Sequence, residues 1–106
     1  MIKFDFKCFF IENKDSTEQK ATCWEEINSI VAFKRDLLTI DCICLLISCS
    51  TGKEIELNEE MEGWTQFCEE LPNYLPSCQS YSHWWPTVAL PALKTNLTEI
   101  FYRDKK

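Results

Sequence analysis

The apolar residues of this chain change period near residue 58, and that change decides the fold class. Upstream they alternate: Ile2, Phe4, Phe6, Cys8 and Phe10 are spaced by two, and Ile55 and Leu57 alternate with Glu54 and Glu56. A period of two lines one face of a pleated strand. Downstream, Met61, Trp64, Phe67, Cys68, Leu71 and Leu75 recur at steps of three and four, which is one face of a helix. Strands followed by helices argue for an α+β fold. The expectation is an antiparallel sheet of four to six strands with two helices packed on one face, built by residues 1–106 as a single domain.

In more detail, a first strand covers residues 2–10, and the polar run Glu12-Asn13-Lys14-Asp15-Ser16 turns the chain. A second strand near residues 19–24 pairs back, and Trp24-Glu25-Glu26-Ile27 forms a short corner. Ile30, Val31 and Phe33 suit a strand over residues 27–34. Asp36-Leu37-Leu38-Thr39 links it to Asp41-Cys42-Ile43-Cys44-Leu45-Leu46-Ile47-Ser48. That run is apolar on both faces, so it predicts a central strand covered on each side or with one face in an interface. Ser50-Thr51-Gly52-Lys53 is a hairpin turn. Asn58 reads as the N-cap of the first helix, with Glu59, Glu60 and Glu62 where the helix dipole favours negative charge. Pro72 and Pro76 end or bend that helix. A second helix spans residues 82–90 around Pro86. Beyond Pro91, a last strand over residues 97–103 sets Ile100 and Tyr102 on one side and Phe101 and Arg103 on the other. The charged tail from Arg103 to the end is the place for fraying.

The series Trp24-x-x-Ile27-x-x-Ile30, Asp41-x-Ile43-Cys44-Leu45, Gly52, Glu60-Met61-x-Gly63-Trp64, Leu71-Pro72-x-x-Leu75-Pro76, Trp84-Trp85 and Phe101-Tyr102-Arg103 resembles a group of small uncharacterised bacterial proteins. In that group a strand meander with a Trp-x-x-Ile corner precedes a Gly-aromatic helix ending in Leu-Pro, and a terminal aromatic-Arg strand follows. Its members carry a Gly after the second Leu-Pro, where this chain has Ser77. The meander half is similar to that of bacterial pleckstrin-homology-like domains. The resemblance implies a fold and no reaction; by analogy with other small acidic bacterial domains it suggests an immunity-type inhibitor.

Charge narrows the partners. With 11 basic and 17 acidic residues the net charge is −6. A negative field repels phosphate backbones, and no stretch concentrates Lys and Arg, so nucleic acid is disfavoured as a partner. The same field argues against an anionic membrane surface. The longest apolar run, residues 42–47, is too short to cross a bilayer. The first ten residues alternate charged and apolar types and do not read as a secretion signal, so a cytoplasmic location is expected. Seven cysteines, an odd number without repeated spacing, argue against a disulfide framework and for small buried hydrophobes. Without secretion, the glycosylation sequon Asn96-Leu97-Thr98 is a chance match.

Motifs for chemistry are weak. Cys42-x-Cys44 is not a zinc-ligand spacing and has no second pair, so no metal or other cofactor is expected. The acidic pairs Glu25-Glu26, Glu59-Glu60 and Glu69-Glu70 are sequence neighbours that diverge in space, so they read as solvated faces. His83, the only histidine, could meet Cys68 or Cys78 as a base, which keeps a cysteine-dependent hydrolase or transferase as an alternative. The favoured reading is a non-catalytic protein-interaction domain, either a monomer or a homodimer that self-associates. Its candidate surface is Tyr81, His83, Trp84 and Trp85, with Glu59, Glu60 and Glu62 beside it. Adjacent tryptophans on a helix cannot both face one core line. One would seal the sheet beside Trp64; the other would stand at the rim, where exposed aromatics anchor partners. Core packing of both remains the competing account.

Overall fold

The computed structural model describes residues 1–12, 21–36, 41–90 and 96–103. The expected polar turn at 13–16, the start of the second strand at 19–20, the link at 37–39, Pro91 and the tail at 104–106 lie outside them. The fold is α+β, with seven strands in two antiparallel sheets and two helices among the described residues.

The alternating run at the N-terminus is two strands, not one: β1 (Ile2–Phe4) and β2 (Cys8–Ile11). Asp5 is the cause. Its Oδ1 accepts hydrogen bonds from the backbone N–H of Lys7 (2.8 Å) and Cys8 (3.0 Å), and its own N–H donates to the Cys8 carbonyl (2.9 Å). A short carboxylate that bonds backbone ahead of it makes a turn the local alternative to a straight strand. Pairing Ile2 with Ile11 and Phe4 with Phe9 turns these four residues toward the core and leaves Phe6 at the hairpin tip, 76% exposed. The short β3 (Thr22–Cys23) adds to β2 and completes a three-stranded sheet. A 3₁₀ turn, Trp24–Glu26, makes the expected corner.

The second sheet has the order β6-β5-β4-β7, from β4 (Ile27–Asp36), β5 (Asp41–Cys49), β6 (Glu54–Asn58) and β7 (Thr98–Tyr102). Ile30 and Ala32 pair with Ile47 and Leu45, and Leu57 lies beside Leu45, all buried on the helix side. The apolar opposite face of β5 is explained by its neighbours: Cys44 lies between Phe33 and Asn58, and Leu46 between Val31 and Glu56. Arg35 reaches across that face. It donates to Glu56 Oε1 (2.5 Å) and passes 5.6 Å from the Phe33 ring centre, so a salt bridge with an apolar stem lies over the stripe. In β7 a bulge shifts the register between the Ile30–Phe101 and Val31–Glu99 pairs. Both Ile100 and Phe101 are therefore buried, which corrects the simple alternation expected there. Arg103 ties this strand to the corner, donating through Nε to the Ile27 carbonyl (2.9 Å) and through Nη2 to the Trp24 carbonyl (3.0 Å).

Helix α1 (Trp64–Tyr74) starts later than expected. Asn58 ends β6 and caps a turn instead, its Oδ1 accepting from the Glu60 N–H (3.0 Å) and its carbonyl from the Met61 N–H (3.1 Å). Gly63 takes the position before the helix with φ +90°, and an added Cβ there would lie 2.6 Å from the Ile2 carbonyl oxygen. Only glycine meets both demands without strain. Glu59, Glu60 and Glu62 thus precede the helix rather than charging its first turn. Trp64, Phe67, Cys68 and Leu71 are its buried line. Trp24 stacks on Tyr74 at 4.8 Å and on Phe67 at 5.9 Å, joining the corner to α1. Helix α2 (Tyr81–Ala89) buries Trp84 and Val88, one turn apart. Lys34, only 3% exposed, ends it by donating to the Ala89 carbonyl (2.8 Å), with Asp41 Oδ2 at 3.5 Å. A cation there is favoured by the helix dipole.

Candidate functional site: a cleft beside the second helix

Successive helix residues point about 100° apart, so α2 separates its two tryptophans. Trp84 is 1% exposed, inside the core with Val88, while Trp85 is 40% exposed. Next to Trp85 opens a cleft of about 410 Å³, lined by Glu69, Ser80, Tyr81, Ser82, Trp85 and Pro86. Tyr81 forms its inner wall, edge-on to Trp84 at 5.0 Å, and its hydroxyl accepts from Trp64 Nε1 (3.3 Å). Burial pushes the Tyr81 phenol above its ordinary pKa, and the negative charges of Glu59 and Glu69 add to the effect. Tyr81 thus stays neutral and fixed, while Trp85 and Glu69 stand exposed beside Ser80, Ser82 and Pro86.

Only part of the expected surface gathers here. Trp84 is removed from it, because a side chain sealed in the core offers nothing to a partner. His83 is exposed on α2 but does not line the cleft. Glu59 has backbone work: its Oε1 accepts from the Ile43 N–H (3.2 Å) and its N–H donates to the Ile43 carbonyl (2.9 Å), extending the β5–β6 ladder. Glu60 lies close enough to raise the Cys42 thiol, after burial and Glu59, which sets it by the start of β5. Glu62 holds β1 through its carbonyl, which accepts from the Ile2 N–H (2.7 Å). The acid that does line the cleft is Glu69, on α1. Its helical phase, one residue after buried Cys68, was legible; which neighbour it would face was not.

A second groove, of about 690 Å³, runs between the β1–β2 tip and the end of α1, lined by Phe6, Lys7, Cys23, Trp24, Glu25, Asn73 and Tyr74. Nothing in the sequence brings those segments together; the Asp5 turn and the Trp24–Tyr74 stack do.

The five buried thiols, Cys42, Cys44, Cys49, Cys68 and Cys78, are poorly placed for nucleophilic work. Burial raises Cys44 and Cys78 to about 12 and moves Cys42, Cys49 and Cys68 upward too. A catalytic cysteine needs the opposite shift. Among the described residues no three His, Cys, Asp or Glu side chains are grouped to hold a metal ion. No described helix is long and apolar enough to cross a membrane. Compared with family models, curated proteins and solved structures, the chain matches none of them.

Proposed function

We propose that this protein is a non-catalytic binding module whose partner is a protein that seats a basic side chain against Trp85, Tyr81 and Glu69. The observation that carries the reading is the split of the tryptophan pair. Core packing accounts for Trp84 and leaves the adjacent indole, 40% exposed at the mouth of a cleft, without a role. An indole face beside a carboxylate is the chemistry that holds a guanidinium or ammonium group, by cation–π attraction and ion pairing. The net charge of −6 steers a basic partner toward the molecule. The raised thiols support a non-catalytic role over a cysteine-dependent reaction. In its sharpest form the partner is a basic toxin that this chain holds inactive.

The test is capture from a source-cell lysate with the wild type, Trp85→Ala and Glu69→Gln, read by mass spectrometry after circular dichroism shows each variant folded. A partner of positive net charge held by the wild type, released by salt and lost in both variants is the expected result. Equal capture by all three folded proteins would overturn the reading. Light scattering without any partner separates self-association from a monomer that binds another protein.

A further inference from the structure

Cys8 and Cys23 face each other directly across β2 and β3. The kind of pairing is set by the adjacent hydrogen bond, in which the Trp24 N–H donates to the Lys7 carbonyl (3.1 Å). A bond from the residue after one partner to the residue before the other flanks a non-hydrogen-bonded pair. At such antiparallel positions the Cα atoms stand about 4.5 Å apart and the side chains lie closest. A disulfide accepts Cα separations of about 4.4–6.8 Å, so this site meets the requirement without moving the backbone.

Accessibility distinguishes these two cysteines from the rest. Their strand neighbours Phe9 and Thr22 are buried, so alternation turns both thiols to the outer face of the small sheet. Cys23 is exposed and Cys8 half-buried, whereas Cys42, Cys44, Cys49, Cys68 and Cys78 are buried. The expectation that all the cysteines fill the core therefore fails at these two. Cys23 also lines the groove that holds Phe6 and Tyr74.

We propose that Cys8 and Cys23 are a reversible dithiol–disulfide pair, oxidised by small-molecule disulfides of the glutathione class. The Cys23 thiolate, the more accessible, attacks one sulfur of the oxidant. A mixed disulfide forms at Cys23 and one glutathione thiolate leaves. The Cys8 thiolate then attacks the Cys23 sulfur and expels the second glutathione. Two protein thiols give up two protons and two electrons, one S–S bond forms, and one glutathione disulfide becomes two glutathione thiols. Burial and the nearby charge of Asp5 raise the Cys8 thiol, so the second step, with Cys23 already held as a neutral mixed disulfide, quickens as pH rises. The product clamps β3 to β2 at the rim of the groove, and its exposure leaves it open to reduction.

The experiment incubates the folded chain with glutathione disulfide and reads it by intact mass and non-reducing peptide mapping, beside Cys8→Ser and Cys23→Ser. The wild type should lose two hydrogens, keep no glutathione adduct and yield one peptide joining Cys8 to Cys23, all reversed by dithiothreitol. Cys8→Ser should retain glutathione on Cys23, because the resolving thiol is gone. In urea the same treatment should scatter disulfides over the seven cysteines, showing that the fold selects the pair. A lasting adduct on wild-type Cys23, a disulfide between two molecules in its place, or no reaction at either thiol would overturn the proposal.

Discussion

Replacing Trp84 or Trp85 by alanine removes the same atoms from adjacent positions, so the difference in stability reads out burial alone. Trp84 is 1% exposed and belongs to the central cluster. Truncating a buried Trp costs about 3–5 kcal/mol, from lost transfer energy and the cavity left behind. Trp85 is 40% exposed, and its removal leaves an open cleft instead of a void. Surface substitutions of that kind stay within roughly 1 kcal/mol. The gap is about 3 kcal/mol, which at a urea slope of about 1.5 kcal/mol per molar separates the two midpoints by about 2 M. A phenylalanine series sharpens the argument. Trp84 Nε1 is buried with no acceptor, whereas Trp24 Nε1 donates to the Asp5 carbonyl (2.8 Å) and Trp64 Nε1 to the Tyr81 hydroxyl (3.3 Å). An unpaired buried donor costs about 1–3 kcal/mol, so Trp84→Phe relieves a penalty while Trp24→Phe abandons an acceptor. Urea unfolding followed by circular dichroism should rank Trp84→Phe as the milder change. Equal midpoints for the two alanine variants, or Trp84→Phe as damaging as Trp24→Phe, would refute this account of the core.

Both glycines have φ +90°, but a Cβ at Gly52 meets nothing within 4 Å while one at Gly63 meets the Ile2 carbonyl at 2.6 Å. Gly52→Ala should cost about 1–2 kcal/mol of backbone strain, and Gly63→Ala a further ~1–3 kcal/mol by pushing β1 off Glu62 and breaking its hydrogen bond, as denaturant melts would show. The Asp5 carboxyl is held below its ordinary value by the N–H groups of Lys7 and Cys8. Since the folded pKa is the depressed one, its contribution to the hairpin is present above the unfolded value near 3.9 and is lost as pH falls through the folded value. Carboxyl NMR titration should place the Asp5 midpoint below that of an unfolded peptide, and an unshifted midpoint would remove the turn's electrostatic basis. Iodoacetamide at neutral pH should label Cys23 first and leave Cys44, Cys68 and Cys78 untouched until unfolding, as peptide mapping would record. Rapid labelling of Cys68 or Cys78 would restore the thiol-enzyme alternative.

Periodicity made the larger elements legible. The two-faced apolar run became central strand β5, and the steps of three and four from Trp64 to Leu71 became the buried line of α1. Short polar side chains were harder to read, because they act on backbone whose position depends on the rest of the fold. Asp5 breaks a run that alternates cleanly, and Asn58 caps a turn with the chemistry that would also cap a helix. The role of Gly63 depends on the Ile2 carbonyl, a contact sixty-one residues distant in sequence that no local pattern encodes. At the candidate site the helical spacing argued that the two tryptophans face different ways but left core packing open; α2 buries Trp84 and exposes Trp85. The acids were harder, since position on a helix gives a direction and not a neighbour: Glu69 enters the cleft while Glu59 holds the β5 backbone. The Cys8–Cys23 pair was hidden for a related reason, because a cross-strand register joins residues whose sequence spacing carries no signal.

On the proposed function, Trp85 and Glu69, not Trp84, carry recognition. The most direct measurement is calorimetric affinity of the captured partner for the wild type, Trp85→Ala and Glu69→Gln at low and physiological salt. A central aromatic anchor is worth at least about 2 kcal/mol, so Trp85→Ala should weaken binding roughly 30-fold. Glu69→Gln should weaken binding chiefly at low salt, where its charge is least screened. Wild-type affinity in a folded Trp85→Ala protein would contradict the claim and return the exposed indole to the ordinary surface.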